Sequence, residues 1–581
     1  MALRASFCPV LATLRERSTK FGPGLIALSF VAAGFALFGS TGNDDSHITY
    51  WVADHLASSF EIVNYNGRPV EQSSSLALVL LLGLLGAITP VPAPLLGWLA
   101  SVAFGVLTLL EAARLCTRLQ LAGFGPALLV LAGFLPFLYW STSGMEVTMT
   151  TFAGLWLLRV VCEPREGSPR RAAAAKLAAA ATFVLVRPEN VIVLPCMAVA
   201  ALGWTLRIEE ARAHRREALI AAMVALALAG GVTVLRTLIF GSAFPLPVSA
   251  KSAGFDALAG ADYLLKTFVL SGVLLLPILA LGFWMLLRDL ARGTSTVSLP
   301  HALLGFLSFA GLAFVVGSGG DWMPAGRFVA MSAAACVLFG ASTIHRALDS
   351  PQAVRTFLLL WATVNALCTV HFTHTAANKG RPGFLALSLD QELRDHLERD
   401  HPFSFPELAS KPHLRDTTIT IALLGILDQL DASPARPISI ATGQAGMVPY
   451  YAFEHRFGAL HLVDLCGLTD DEVSTCLGQT SESRWGTCVS LDRYFQDSAT
   501  LAKCDLPSRP DVIHGLTLSD EVRKLLERHD YRIVYEQSGR IHDSARPRWF
   551  RGRLGAKSFI AVHGRHDVPA SPPWRWDIGT P

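Results

Sequence analysis

The sequence predicts a polytopic α-helical membrane protein that carries a soluble α/β domain at its C-terminal end. Of its 581 residues, 51% are hydrophobic and only 16% are charged, and the mean hydropathy is +0.41. An ordinary soluble protein is more charged and less apolar than this. Because the apolar segments stop near His371, we expect a membrane domain over residues 1–372 and an extracytoplasmic domain over residues 373–581.

The first apolar run sets the orientation of the chain. Four basic residues, among them Arg15 and Arg17, precede the run Phe21–Ser40. The run is too long for a signal peptide and lacks a small-residue cleavage site, so it is interpreted as a retained first helix. Basic residues favour the cytoplasmic side. The N-terminus is therefore predicted to lie in the cytoplasm, with the first loop, residues 41–92, outside.

Eleven further apolar runs follow the first helix. They lie at 75–90, 93–112, 121–140, 146–162, 173–187, 189–206, 219–240, 263–287, 301–317, 327–346 and 354–371. If all of them crossed the membrane, the arginine-rich loop 207–216 would lie outside, against the positive-inside rule. The run 75–90 is short and ends in prolines, so we interpret it as a juxtamembrane helix within the first outside loop. This leaves about eleven spans and places every basic loop in the cytoplasm.

The soluble part is predicted to be an α/β domain. Polar, helix-prone sequence at Gln391–Arg399 is followed by the short apolar run Ile419–Leu430, which suits a core helix. Five strand-like runs come next, at 437–442, 460–465, 510–514, 531–535 and 558–563. The turn Gly443–Gly446 lacks the complete dinucleotide-binding fingerprint, so a nucleotide site there is disfavoured.

Cysteine placement and net charge limit the compartment and the partners. Six cysteines lie in or beside the apolar part, where they behave as small hydrophobic residues. The other four would suit one or two disulfides in an oxidising compartment, with the pairing left open: Cys466, Cys476, Cys488 and Cys504. The net charge of +3 and the lack of a basic tract with interleaved aromatics argue against a nucleic-acid partner.

Polar side chains mark the predicted outside ends of the helices. Those singled out are Asp44, Asp45, His47, Glu71, Gln72, Glu146, Arg187, Glu189, Lys251, Asp321 and Arg327. Each could simply cap a helix or stabilise a turn, as Ser143 before Glu146 suggests. Because all of them fall on one side of the membrane, a shared cavity is favoured.

Such a cavity would suit phosphate and sugar chemistry. Arg187 and Arg327 could bind a phosphate through their planar forks, and Lys251 as a point charge. Asp44 and Asp45 could accept a proton from a hydroxyl or stabilise a sugar oxocarbenium ion. Nearby aromatic residues could line a sugar or lipid path, or belong to the interfacial belt: Tyr50, Trp51, Tyr65 and Trp322.

The order of these motifs resembles the GT-C superfamily of polyprenyl-phosphate-sugar-dependent glycosyltransferases. The shared elements are an Asp-Asp pair after the first helix, then Ser-Gly-Met-Glu146, Arg187-Pro-Glu, Pro-x-x-x-x-Ala-Lys251 and Gly-Gly-Asp321-x-Met-x-x-x-Arg327. The pattern is most similar to terminal arabinofuranosyltransferases of mycobacterial type, and the segments 441–451 and 463–470 resemble the start of their soluble domain. The individual motifs are short, whereas their succession is more specific.

The resemblance implies a bacterial inner-membrane enzyme that transfers a pentose, arabinofuranose, from a polyprenyl-phosphate donor to a glycan or protein hydroxyl. It implies catalysis by Asp44 and Asp45, donor phosphate binding by Arg187, Lys251 and Arg327, and substrate binding by His47, Glu71, Gln72, Glu146, Glu189 and Asp321. The Ser46-His47 and Val70-Glu71-Gln72-Ser73 segments depart from the family pattern. Another lipid-linked sugar such as mannose, or a transporter, is therefore the alternative. A divalent cation and the stereochemical outcome are left open.

Overall fold

The structure is a computed structural model of the full chain. It describes residues 8–38, 44–119, 124–162, 168–208, 214–251, 256–293, 298–321, 323–377, 414–430, 432–454, 456–477, 488–515, 518–538 and 557–568. The helix-prone stretch Gln391–Arg399 and the aromatic residue Trp322, both singled out in the sequence, lie outside the described residues.

Sixteen α-helices form the described part of the membrane domain. They are α1 (Cys8–Phe38), α2 (Asp44–Ser59), α3 (Leu76–Ile88), α4 (Ala93–Arg118), α5 (Phe124–Ala132), α6 (Leu135–Trp140), α7 (Val147–Cys162), α8 (Pro169–Val186), α9 (Asn190–Arg207), α10 (Arg215–Phe240), α11 (Leu246–Lys251), α12 (Ala257–Ser271), α13 (Leu275–Arg292), α14 (Leu299–Gly317), α15 (Arg327–Ala347) and α16 (Pro351–Ala377). Within the described residues, six helices, α4, α9, α10, α14, α15 and α16, are long and apolar enough to cross a membrane. The predicted polytopic helical architecture is confirmed, while the count of about eleven spans stays a prediction.

Two predicted spans are broken in the structure. The run 263–287 is divided between α12 and α13, and the run 121–140 between α5 and α6. Gly272 ends α12 at a φ of 146°, and a Cβ there would lie 2.4 Å from the side-chain oxygen of Asn365. Glycine therefore permits both the turn and the close approach of a neighbouring helix. Continuous apolar composition concealed these breaks.

The short run 75–90 does form a separate helix. Ser75 caps α3 by accepting a hydrogen bond from the Leu78 amide, and the helix ends before Thr89. Its 13 residues extend about 20 Å at ~1.5 Å per residue, short of the ~30 Å hydrocarbon core of a bilayer. This length supports the interpretation as a juxtamembrane helix, whose position in the membrane stays a prediction.

The soluble domain contains one five-stranded sheet. Its strands are β1 (Ile438–Thr442), β2 (Leu460–Asp464), β3 (Val512–Gly515), β4 (Tyr531–Ser538) and β5 (Lys557–His563), in the order β2-β1-β3-β5-β4. The first three strands are parallel, whereas β5 runs antiparallel to both β3 and β4. All five predicted strands are present, and the α/β assignment is confirmed.

Six helices accompany the sheet in the described residues. They are α17 (Leu414–Leu427), α18 (Met447–Glu454), α19 (Glu472–Leu477), α20 (Leu491–Gln496), α21 (Ser498–Lys503) and α22 (Asp520–Arg528). Ile419, Leu423 and Ile426 of α17 are buried in the core, as the length of the apolar run predicted. Disulfides join Cys466 to Cys488 and Cys476 to Cys504, which resolves the pairing that the sequence left open.

The soluble domain packs directly on the first outside loop. The side chain of Asn64 donates to the Thr469 carbonyl and to the Asp470 carboxylate, both at 3.0 Å. On the other side of this contact, the hydroxyl of Tyr450 donates to Asp54 at 2.7 Å. Helix α2 therefore lies between the membrane domain and the soluble domain, and this arrangement positions the candidate site.

Candidate active site

A cavity of about 510 Å³ lies where the predicted outside loops meet. Six of the residues singled out in the sequence line it: Asp45, Gln72, Arg187, Glu189, Asp321 and Arg327. Further lining comes from Ile48, Thr49, Ser73, Ser74, Met145, Pro188, Ile192, Phe244, Pro247, Val248, Phe314, Gly317, Ser318, Gly320, Phe328 and Leu468. Loops that are distant in the chain thus meet at one end of the bundle.

Arg327 forms one side of the cavity at the first turn of α15. Its Nε and Nη2 donate to the two oxygens of Asp321 at 2.5 and 3.1 Å, and its Nη1 donates to Asp45 at 3.1 Å. The preceding turn contains Gly319, Gly320, Ala325 and Gly326, all at positive φ. Glycine makes this left-handed backbone accessible. The turn lets Asp321 fold back against the arginine that follows it by six residues.

Arg187 forms a second cationic group at the end of α8. Its Nη1 lies 2.7 Å from the Glu146 carboxylate, and its Nε lies 2.9 Å from Glu189. The hydroxyl of Ser74 is 3.3 Å from Glu146 and 3.4 Å from Arg187. Glu146, which does not itself line the cavity, therefore holds a cation that does.

Both arginines keep donors for a ligand. A guanidinium has five N–H groups, and three hydrogen bonds to described residues engage each of these side chains, which leaves two N–H groups on each. Phe328 lies beside both, with its ring centre 5.1 Å from the Arg327 guanidinium carbon and 6.0 Å from that of Arg187. An aromatic face favours a nearby cation. The arrangement suits the binding of an oxyanion.

The adjacent acids Asp44 and Asp45 face different parts of the molecule. Helix α2 begins at Asp44, so both carboxylates lie in its first turn, where the helix dipole stabilises negative charge. Asp45 faces the cavity, whereas Asp44 accepts a hydrogen bond from the Met447 amide of the soluble domain at 2.6 Å. Successive helical residues are rotated by about 100°, because a turn holds ~3.6 residues. The two acids therefore have different surroundings.

Two other predicted site residues, His47 and Glu71, are not among the described residues that line the cavity. His47 is buried, with ring centres of Tyr50, Tyr450 and Tyr451 at 5.2, 5.4 and 5.7 Å. Glu71 is also buried and pairs with Arg236 at 3.0 Å. Burial raises the pKa of Glu71, and the charge of Arg236 opposes that effect.

Lys251 is the last residue of α11, and its side chain is outside the described part of the structure. Gln72, by contrast, does line the cavity, and its side-chain amide donates to the Ile48 carbonyl at 3.2 Å. Gln72 thus ties the first outside loop to α2 next to Asp45.

Several residues that line or support the candidate site were not predicted from the sequence. Arg236 is the only charged residue in the run 219–240, a placement that marks a buried ion pair or a functional group and could have been noticed. Ser73 and Ser74 also line the cavity, and they directly follow the predicted site residues Glu71 and Gln72 in the chain. Leu468 comes from the soluble domain, and no local pattern connects it to the membrane loops.

The described residues contain no group of three or more His, Cys, Asp or Glu side chains arranged to hold a metal ion. The divalent cation that the sequence left open therefore has no such ligand set within the described residues. The chemistry available to the described cavity is that of three lining acids, Asp45, Glu189 and Asp321, beside two arginines with uncommitted donors.

Comparison with known proteins gives distant structural similarities. No family profile matches the chain, and no curated protein is significantly similar in sequence. ArnT from Cupriavidus metallidurans bound to undecaprenyl phosphate is 14% identical, with 94% of this chain and 98% of that chain covered and a TM-score of 0.47. Its apo state gives the same identity and coverage and a TM-score of 0.49.

The Archaeoglobus fulgidus oligosaccharyltransferase AglB, in complex with an inhibitory peptide and a dolichol-phosphate, is 12% identical. The match covers 86% of this chain and 70% of that chain, with a TM-score of 0.46. Every one of these TM-scores lies below 0.5, so the similarities carry no conclusion about the activity of this chain.

Proposed function

We propose that this chain is a membrane glycosyltransferase of the GT-C type. It takes a sugar from a polyprenyl-phosphate donor and transfers it to a hydroxyl group of an extracytoplasmic glycan or protein. The observation that carries the proposal is the meeting of Asp45, Arg187 and Arg327 around one cavity of about 510 Å³. These are the groups that a transfer from a phosphate leaving group needs: an acid beside the acceptor and cations beside the phosphate.

The two arginines bind the donor phosphate in this proposal. Their side chains are preorganised by Asp321, Glu146 and Glu189, so little conformational freedom is lost when a ligand binds. The N–H groups that remain uncommitted donate to phosphate oxygens, for which the planar fork of arginine is well suited. Lys251 is proposed as a further phosphate ligand, because it is the lysine of the Pro-x-x-x-x-Ala-Lys motif.

Asp45 carries the proton transfer. The acceptor hydroxyl gives its proton to the Asp45 carboxylate while its oxygen forms a bond to the anomeric carbon of the sugar. The bond between that carbon and the phosphate oxygen breaks, and its electron pair leaves with the polyprenyl phosphate. Arg187 and Arg327 stabilise the negative charge that develops on this oxygen. Asp44 acts on this step through the position of α2.

The proposed location is the bacterial inner membrane, with the N-terminus in the cytoplasm and the soluble domain in the periplasm. Two observations support it. The basic loops satisfy the positive-inside rule in this orientation. The two disulfides of the soluble domain suit an oxidising compartment.

The proposed sugar is a pentose, arabinofuranose. This choice of sugar rests on the succession of motifs alone. Ser46-His47 and Glu71-Gln72 depart from the family pattern, and His47 and Glu71 are buried outside the cavity lining. Of the departing residues, His47 and Glu71 therefore lie behind the cavity wall, whereas Gln72 lies on the surface that would touch the substrate. Another lipid-linked sugar, such as mannose, is the alternative within the same reaction.

The test is turnover by the purified full chain in lipid nanodiscs with a panel of polyprenyl-phosphate sugars and a hydroxyl acceptor. Release of polyprenyl phosphate from the arabinofuranose donor is expected, and that donor should accumulate in cells that lack the gene. Release from the mannose donor alone would correct the sugar. If no donor is consumed while the same chain moves lipid-linked sugar across the bilayer of sealed proteoliposomes, the chain is a transporter.

A further inference from the structure

The soluble domain has the strand order next to which α/β domains commonly bind ligands. Strand β1 lies between β2 and β3, and it is parallel to both. The chain passes from β1 to β2 on one side and then crosses back past β1 to reach β3, so the direction of the connections reverses next to β1. Ligands commonly bind at the carboxyl ends of parallel strands at such a point. Here the loop Gly443–Gly446 follows β1, and α18 begins directly after it.

The chain itself occupies this position. The Met447 amide, at the start of α18, donates to the Asp44 carboxylate at 2.6 Å. The hydroxyl of Tyr65 donates to the Gly446 carbonyl at 3.3 Å. A Cβ added at Gly446 would lie 1.9 Å from the backbone oxygen of Asp44. Only glycine allows this approach, and a separate ligand on the Met447 amide would have to displace the acid.

Helix α2 has two faces, and each serves one domain. Asp44, His47, Trp51 and Asp54 follow the i, i+3, i+7, i+10 spacing of one helical stripe. This stripe meets the soluble domain: His47 lies 5.4 Å from Tyr450 between ring centres, Trp51 lies 6.1 Å from Phe453, and Asp54 accepts from Tyr450 at 2.7 Å.

The residues between the members of this stripe include Asp45, Ile48 and Thr49, which line the cavity. Because one short helix carries both faces, a shift of the soluble domain that carries α2 with it would move Asp45 as well.

A second clamp holds the loop that follows α2. Asp470 accepts hydrogen bonds from Asn64 at 3.0 Å, Asn66 at 2.9 Å and Arg68 at 3.0 Å. Leu468, two residues earlier in the chain, lines the cavity. The soluble domain therefore holds the first outside loop at two separate places and also supplies part of the cavity wall.

We infer that the soluble domain positions Asp45 for transfer, with Asp44, Gly446 and Met447 as positioning residues, and that the loop after β1 receives this chain's own α2 in place of a separate ligand. The inference rests on the proposed function where the rate of transfer is the measurement. Docking of α2 can be measured without any substrate.

The first experiment compares Gly446→Ala with Gly443→Ala in the full chain. Gly443 is in the same loop, but a Cβ there would meet only the Cys466 sulfur at an ordinary 3.5 Å. In Gly446→Ala, amides of residues 44–59 should exchange hydrogen about tenfold faster, because the loop no longer fits against α2. Exchange within β1 and β5 should stay at the wild-type rate, which shows that the domain is folded. Gly443→Ala should match wild type throughout.

Transfer kinetics on the same variants test the positioning role. A displacement of a catalytic group by about 1 Å costs ~100-fold in rate. Gly446→Ala should therefore lose kcat by about that factor while KM for the donor stays within about twofold of wild type, since Asp321, Glu146 and Glu189 still hold the two arginines. Faster exchange over 44–59 with wild-type kcat would overturn the inference, and so would unchanged exchange.

Asp44 variants give a second measurement that does not depend on the glycine. Asp44→Asn keeps an oxygen that can accept from the Met447 amide, whereas Asp44→Ala does not. Slow exchange over 44–59 should be retained in Asp44→Asn and lost in Asp44→Ala. Equal exchange in both variants would contradict the inference. If wild type transfers no sugar at all, the proposed function fails while this exchange result still decides the docking.

Discussion

The two ends of the helical bundle both contain arginine–carboxylate pairs, but they differ in what surrounds them. At one end, Arg187 and Arg327 pair with acids around the cavity. At the other end, Glu111 pairs with Arg114 and Arg159, and Asp289 pairs with Arg288 and Arg346. None of these second-end residues lines the 510 Å³ cavity.

The difference separates the ion pairs that are proposed to act on a substrate from those that join helices. Glu111 ties α4 to α7, and Asp289 ties α13 to α15, so these pairs join helices. The ion pairs of Arg187 and Arg327 also join separate segments, but these two side chains line a cavity that is large enough for a ligand. The burial of a charged pair is weak evidence for function. The adjoining cavity and the uncommitted donors are what distinguish the first end.

The largest effect should come from Asp45→Asn compared with Asp289→Asn. Both acids pair with an arginine, but only Asp45 lines the cavity. Loss of a general base costs about 10²- to 10⁴-fold in rate, so Asp45→Asn should lose kcat by that factor. Asp289→Asn should lower thermal stability and leave the rate per folded molecule unchanged. Comparable rate losses in the two variants would remove the distinction between the two ends.

A smaller effect is expected from Arg327→Lys compared with Arg346→Lys. Lysine keeps the charge but loses the fork that bonds both oxygens of Asp321. A hydrogen bond to a charged group contributes about 1.5–3 kcal/mol, or ~10- to 100-fold in affinity. Donor kcat/KM should fall by this factor in Arg327→Lys only. A wild-type value would exclude Arg327 from the binding of the donor phosphate.

Glu111→Gln should affect stability without affecting transfer. The change removes the charge of Glu111 from its pair with Arg159, which is largely buried. Removing one member of a buried pair costs about 3 kcal/mol, which a denaturation curve in detergent would detect. Glu217→Gln is the control, because Glu217 is exposed and lies at the surface 3.8 Å from His214, so its cost should stay below ~1 kcal/mol. A loss of transfer by folded Glu111→Gln would give the second end a functional role.

The smallest effect should be a pH dependence of domain docking. Burial raises the pKa of Asp54 to about 6, with the Tyr450 hydrogen bond acting in the opposite direction. The docked state therefore binds more protons between about pH 4 and pH 6, so this contribution is complete below pH ~4 and is lost as pH rises through about 6. Hydrogen exchange over residues 44–59 should be slower at pH 5 than at pH 7.5 after correction for the intrinsic rate.

Asp54→Asn is the variant that checks this interpretation. The amide carries no charge at either pH, so the corrected difference between pH 5 and pH 7.5 should disappear. A difference that persists in Asp54→Asn would assign the pH dependence to another group. The size of the effect is expected to be on the order of 1 kcal/mol.

Much of the site could be predicted because membrane topology restricts where polar groups can be. Asp45, Gln72, Arg187, Asp321 and Arg327 lie at helix ends that the positive-inside rule assigns to one side, and the structure brings them to one cavity. The five strands were equally accessible, because short apolar runs between turns are a local signal.

The remainder depends on tertiary contacts that no local pattern contains. The rotation of Asp44 away from the cavity follows from helix α2 beginning at that residue and from the approach of Met447. Glu71 does not line the cavity and pairs instead with Arg236, which lies far along the chain. The helix breaks near Gly133 and Gly272 interrupt runs of uniform hydrophobicity, so composition gave no reason to expect them.

The most direct test of the account is the position of the phosphate. A cryo-EM map of the full chain in nanodiscs with polyprenyl phosphate, the proposed product, would show where this group binds. The account predicts a phosphate within hydrogen-bonding distance of Arg187 or Arg327, on the side of the cavity that Asp45 lines. A phosphate bound outside this cavity, with both arginines still paired only to their carboxylates, would contradict it.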